Sequence, residues 1–222
     1  MGQIVTFKRP DGKDCNGYLA SPASGDQAPG VVVIQEWWGL NEQIKGVADK
    51  VAALGYRVLA PDLYKGKVTL DVAEANHMMT NLNFGDAATQ DVRGAAQHLK
   101  QSSARVGVVG FCMGGALTVL AAMYVKEADA CSSWYGFPPE QAGDVKTITT
   151  PLQLHFAEQD QSFSADAALS LESRLKEGKV AYESHWYKAG HAFFNEKGPN
   201  YNAECAKTAW DRTVDFFARH LK

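Results

Sequence analysis

The 222-residue chain has no cluster of lysine or arginine, and its formal net charge is −3. That argues against a nucleic-acid surface, which concentrates basic residues on one face. No apolar run approaches the roughly 20 residues of a membrane span, and residues 1–8, MGQIVTFK, lack the apolar centre of a signal peptide. Cysteine is sparse. Cys15, Cys112, Cys131 and Cys205 are widely spread, with neither the density of a disulfide scaffold nor the CxxC spacing of a metal site. No internal repeat, low-complexity tract or linker divides the chain. These absences lead to an expectation of one domain over residues 1–222, in the cytoplasm, with no nucleic-acid or membrane partner and no bound metal.

What is present is an alternation of strands and helices. Residues Ile4–Phe7 and Cys15–Leu19, separated by Asp11-Gly12, read as an antiparallel pair. The run Gly30–Ile34 is continuous Val and Ile, the pattern of a strand buried on both faces of a parallel sheet. Helical spacing follows over Asn41–Leu54, closed by Gly55, and then a strand over Tyr56–Ala60 stopped by Pro61-Asp62. A helix-rich stretch from about Leu70 to Lys100 is expected to break near Asn83-Phe84-Gly85. Beyond it come strands at Val106–Val109, Ala130–Tyr135, Leu152–Ala157 and Tyr182–Tyr187. Helices are expected over Ala165–Lys176 and from about Asn202 to His220. Such alternation predicts an α/β architecture, a mostly parallel, doubly wound sheet with an antiparallel pair at its N-terminal edge.

Gly110-Phe111-Cys112-Met113-Gly114, followed by Gly115, stands between a β-branched run and the apolar helix former that starts at Ala116. In that context G-x-(nucleophile)-x-G reads as a nucleophile elbow, with cysteine in the attacking position. The glycines let strand and helix approach closely and the tight turn lifts the side chain above the sheet edge. Read alone, the same residues describe a glycine-rich turn holding an inert cysteine.

Ligands of an open α/β sheet bind beyond the carboxyl ends of its strands, and two more candidates fall there. Strand Leu152–Ala157 runs into Glu158-Gln159-Asp160, and strand Tyr182–Tyr187 runs into Gly190-His191. Cys112, Asp160 and His191 then follow the order nucleophile, acid, base that is typical of α/β-hydrolases. His191 would take the thiol proton and later return one to the leaving group, while Asp160 orients the imidazole. Alone, Asp160 reads first as a turn former or helix N-cap, and Glu158 is a lesser candidate for the acid. The loop Gln35-Glu36-Trp37-Trp38-Gly39-Leu40 lies where such enzymes recruit one oxyanion donor; the Trp37 and Met113 backbone N–H groups are the expected pair.

Four blocks, Gln35–Asn41, Pro61-Asp62-Leu63-Tyr64, Gly110–Gly115 and Gly190-His191-Ala192-Phe193, resemble in order the signature segments of the dienelactone hydrolase (carboxymethylenebutenolidase) family. The resemblance spans nearly the whole chain. It implies an α/β-hydrolase fold without a lid domain, a Cys-His-Asp triad and no cofactor. It also gives Glu36 a role, holding the resting thiol until substrate releases it. One departure concerns the two arginines that dienelactone hydrolases use to grip a substrate carboxylate. No arginine occurs between Arg57 and Arg93, and Asn195 stands at the second position; Lys65 or Lys67 would replace a guanidinium pair only in part.

The expected activity is that of a carboxylic-ester hydrolase, cysteine-dependent, working on small esters or enol-lactones through a thioester. Trp37, Tyr64, Trp134, Phe193 and Asn195 are the expected substrate contacts, and the expected assembly is a monomer or small homo-oligomer. The alternative is a non-enzymatic ligand-binding or redox-sensing protein on the same scaffold, with Cys112 oxidised reversibly and Cys131 as a conceivable resolving thiol.

Overall fold

A computed structural model describes every residue except Met1, Ser24 and Asp26. Its strands are β1 (Gln3–Lys8), β2 (Asp14–Ala20), β3 (Gly30–Ile34), β4 (Arg57–Pro61), β5 (Val106–Phe111), β6 (Ala130–Trp134), β7 (Leu152–Ala157) and β8 (Tyr182–Tyr187). They form one eight-stranded sheet in the order β1-β2-β4-β3-β5-β6-β7-β8. Pairing is antiparallel for β1 with β2 and β2 with β4, and parallel from β4 across to β8. The antiparallel edge is half exposed and its residues alternate. Strands β3, β5, β6 and β7 are buried at every position, which is why their sequences are continuous rather than alternating.

Helices α1 (Glu42–Ala53), α2 (Val72–Thr80), α3 (Phe84–Asp86), α4 (Arg93–Lys100), α5 (Met113–Tyr124), α6 (Ala165–Glu177) and α7 (Ala203–Leu221) connect and cover the strands. Side-chain caps start several of them: Asn41 accepts from the Ile44 N–H, Asp71 from Glu74, Ser164 from Ala167 and Asn202 from Cys205. The expected break near Asn83-Phe84-Gly85 lies slightly earlier. Asn83 accepts from the Asp86 N–H and opens α3, so Phe84 and Gly85 are already helical. A π-helical turn over Ala87–Val92 then carries the chain into α4. Nearly all of the buried apolar residues belong to one continuous cluster.

The winding places the site. From β3 the chain crosses by α1 to β4 on one side, while β5 pairs on the other flank of β3 and the remaining strands continue outward from it. The direction of winding therefore reverses between β3 and β5. At such a point the loops leaving neighbouring strand ends diverge and open a crevice. The loop after β3 carries Glu36 and Trp37, and the turn after β5 carries Cys112.

Candidate active site

Cys112 sits at φ 56°, ψ −117°, a conformation a non-glycine residue adopts only when its surroundings impose it. Those surroundings are backbone. A Cβ on Gly110 would collide with the Gly114 carbonyl, and a Cβ on Gly114 would lie 2.6 Å from the carbonyl oxygens of both Ile34 and Gln35. Strand β5, helix α5 and the end of β3 therefore meet at a distance only glycine permits. The turn is held by the Cys112 N–H, which donates to the Trp134 carbonyl at 3.0 Å.

Cys112, Asp160 and His191, from three separate loops, come together. His191 Nε2 is 3.1 Å from Cys112 Sγ, and His191 Nδ1 is 2.8 Å from Asp160 Oδ2. Asp160 Oδ1 accepts from the N–H groups of Ser162 at 2.7 Å and Phe163 at 2.9 Å. Turn former and histidine partner are thus the same residue, one oxygen for each task. Glu158 is exposed and takes no part. Burial opposes a charge on His191, but hydrogen bonds to Asp160 and Cys112, with their negative charge, outweigh it and push the imidazole up to about 10. Phe163 stacks on the His191 ring at 5.6 Å between centroids and Tyr135 meets it edge-on at 5.4 Å, which limits its rotation.

Trp37 and Met113 N–H donate to no described protein acceptor, leaving both free to bind an oxygen in the crevice. The Trp37 loop is pinned from outside. Gln35 Oε1 accepts from the Leu63 N–H at 3.3 Å, and the Trp38 carbonyl accepts from the Thr69 N–H at 3.1 Å. The Pro61–Tyr64 block thereby supports the loop. Tyr64 is part of that support: its hydroxyl donates to Met113 Sδ at 3.2 Å, beneath the elbow.

A cavity of about 360 Å³ opens over Cys112 and His191. Glu36, Trp37 and Asn195 line it. Trp38, Met79, Ser162, Phe163, Ala192 and Asn200 also contribute to the wall, although the sequence reading did not select them. Phe163 carried a signal, since it directly follows the turn made by Asp160; Met79, brought in on α2, carried none. Three expected contacts are corrected. Trp134 and Phe193 have 0% exposure and Tyr64 is buried. Trp134 packs on Phe111, Phe194 and His155, and Phe193 on Tyr135 and Tyr187, under the cavity floor. Ala192, at φ 60°, turns the chain so that its neighbour Phe193 points into the core. Lys65 and Lys67 are exposed and lie outside the cavity wall, as does every other lysine and arginine among the described residues.

Glu36 is 2% exposed, and burial raises its carboxyl above the usual range against the opposing effects of Asn195, His191 and Tyr135. Its oxygens are both occupied: Tyr135 Oη donates to Oε1 at 3.3 Å and Asn195 Nδ2 to Oε2 at 2.8 Å. No hydrogen bond joins Glu36 to Cys112 among the described residues. The expected resting contact between carboxylate and thiol is replaced by the Cys112–His191 contact. Among the described residues no group of three or more His, Cys, Asp or Glu side chains is disposed to hold a metal ion, and no helix is long and apolar enough to cross a membrane.

The dienelactone hydrolase family model matches residues 15–221. The protein usf of Aquifex pyrophilus is 34% identical over 233 residues, with all of both chains covered. A protein of Aquifex aeolicus provisionally named carboxymethylenebutenolidase is 31% identical over 234 residues, again with full coverage of both. A Klebsiella pneumoniae crystal structure provisionally named dienelactone hydrolase superposes with a TM-score of 0.89 at 24% identity, over 99% of this chain and 100% of that one, a likeness of fold. The chain therefore belongs to the dienelactone hydrolase family of carboxylic-ester hydrolases.

Proposed function

We propose that the protein hydrolyses small uncharged esters or lactones through a Cys112–His191–Asp160 triad. The observation that carries this reading is the unbroken relay from Cys112 Sγ to His191 at 3.1 Å and from His191 to Asp160 at 2.8 Å. The thiol proton passes to His191 Nε2, and the thiolate, at the N-terminus of α5 where the helix dipole favours negative charge, attacks the carbonyl carbon. The Trp37 and Met113 N–H groups receive the oxyanion; each such donor is worth about 2.7–4 kcal/mol at the transition state. Collapse expels the alcohol, protonated by His191, and leaves a thioester on Cys112. Water, deprotonated by the same imidazole, then releases the acid. The name of the Aquifex aeolicus relative and the family description favour ester or lactone substrates.

The substrate class follows from the wall. Trp37, Trp38, Phe163 and Met79 present apolar surface, and no lysine or arginine lines the cavity to meet a substrate carboxylate. The test is a kcat/KM panel of p-nitrophenyl acetate, neutral lactones and cis-dienelactone, with mass spectrometry for an acyl group on Cys112. Cys112→Ala should abolish turnover and acylation, and Cys112→Ser should be slow because a hydroxyl is less acidic than a thiol. Undiminished hydrolysis by Cys112→Ala would remove the triad, and preference for the anionic dienelactone would remove the substrate class.

The redox alternative loses its partner thiol. Cys131 pairs in register with Val108, three strand residues before the end of β5 at Phe111, so it lies roughly 10 Å from the turn that carries Cys112 at ~3.3 Å per residue. A disulfide requires Cα atoms within about 7 Å.

A further inference from the structure

Glu36 has an unusual position for a buried acid. It shares the cavity wall with the thiol of Cys112 and yet bonds to neither member of the Cys112–His191 pair. A carboxylate free to turn toward a neighbouring thiol would accept its S–H and, as a nearby negative charge, oppose formation of the thiolate. What prevents this is a pair of donors from two different loops.

Each donor is itself fixed. Asn195 Oδ1 accepts from the Lys197 N–H at 3.1 Å, which orients the amide so that Nδ2 faces Glu36 at 2.8 Å. Its own N–H donates to the Ala192 carbonyl at 2.9 Å, tying it to the loop that carries His191. Tyr135 is held at φ 37°, immediately after β6, with its N–H on the His155 carbonyl at 2.7 Å and its ring against His191. Burial, with the negative charge of Glu36, keeps its phenol protonated and therefore a donor. Both Tyr135 and Asn195 are buried, so solvent does not compete for these contacts.

We propose that Tyr135 and Asn195 are positioning residues that clamp Glu36 by both carboxyl oxygens, away from the thiol, so that Cys112 is engaged with His191 before any substrate arrives. The nucleophile of this chain is then armed at rest rather than released by substrate. The inference rests on Cys112 being the nucleophile, and its consequence is read at the thiol without any turnover. The arrangement is also independent of which ester is bound, as suits a cavity lacking a cation to sense a substrate charge.

The experiment measures alkylation of Cys112 by iodoacetamide at pH 7 with no ester present, resolved by peptide mass spectrometry from Cys15, Cys131 and Cys205. Wild type should alkylate readily. Asn195→Ala frees Glu36 and should slow the reaction by about tenfold or more, because the freed carboxylate opposes formation of the thiolate. Tyr135→Phe, which removes a single oxygen and leaves the packing in place, should slow it by less. The double variant Asn195→Ala/Glu36→Gln should recover the wild-type rate, because an amide carries no charge to oppose the thiolate. Rescue separates a role through Glu36 from mere structural support. Wild-type rates in both single variants, or a double variant as slow as Asn195→Ala, would overturn the clamp. Retained esterase activity in Cys112→Ala would instead overturn the hydrolytic assignment, so the two failures are distinguishable.

Discussion

Asp160 divides its two carboxyl oxygens between a turn and a histidine. Its Oδ1 organises the turn through Ser162 and Phe163, while Oδ2 fixes the His191 ring. Asp160→Asn separates the two tasks. The amide oxygen still serves the turn, but Nδ2 would present a hydrogen toward Nδ1, favouring the tautomer that cannot accept the thiol proton. We expect kcat on a neutral aryl ester to fall by about 10³–10⁴, with a circular dichroism spectrum like that of wild type. A loss smaller than tenfold would show that another group orients His191. The candidate residues Cys112, His191 and Asp160 were legible because each combines a reactive side chain with a strand end. Trp134 and Phe193 were misassigned for a physical reason: closeness in sequence to a motif does not say which face of the chain a side chain occupies. The φ of 60° at Ala192 reverses that face in a way no residue type announces.

Among the elements, the elbow concentrates the steric cost. Gly114→Ala would set a methyl 2.6 Å from the carbonyl oxygens of Ile34 and Gln35, pushing α5 away from the loop that presents Trp37. A destabilisation of at least about 1–3 kcal/mol is expected, together with a fall in kcat, the outcome required by the proposed pairing of the Met113 and Trp37 N–H groups on one oxyanion. Gly46, inside α1, supplies the contrast. Nothing lies within 4 Å of its added Cβ, so Gly46→Ala should stabilise by about 0.5–1 kcal/mol through helix propensity alone. Urea denaturation of the two variants checks both signs. The strands and capped helices followed from periodicity, since a run such as Val31–Ile34 has few other uses. The short α3 and its π-helical continuation escaped detection, as the apolar spacing of that stretch does not distinguish one tight helix from two unequal pieces.

Across the whole molecule, the sheet and α7 are joined by a buried polar group that the sequence did not foreshadow. His155 Nδ1 lies 2.8 Å from the Tyr187 hydroxyl, and Nε2 lies 2.9 Å from both Gln153 Oε1 and Thr213 Oγ1. Full burial, aided by the charges of His185 and Arg212, depresses its pKa well below the ordinary value. The unfolded chain therefore takes up a proton near pH 6.5 that the native state refuses. Its contribution to stability is complete above about pH 6.5 and declines below it, by up to about 1.4 kcal/mol per pH unit. His98, His185 and His220 are shifted in the same direction, mainly by burial, and add to the slope. His191, held above its ordinary value, acts in the opposite sense over this range, so the measurement is the difference between wild type and His155→Gln in urea unfolding at pH 7.5 and 5.5: the variant should lose less stability, or gain more, than wild type as the pH falls. An unchanged slope in that variant would assign the acid sensitivity to the other histidines.

The sequence by itself determined the order of strands and helices, the cysteine elbow, and the three strand ends that carry Asp160, His191 and Cys112. These depend on local periodicity, glycine at a steric bottleneck and the chemistry of single side chains, all written along the chain. Only the tertiary structure decided what holds Glu36, which aromatics face the cavity, and that no lysine or arginine among the described residues lines it. Those are relations between loops from strands far apart in sequence, set by the reversal of winding between β3 and β5 and by which side chains fill the space beneath.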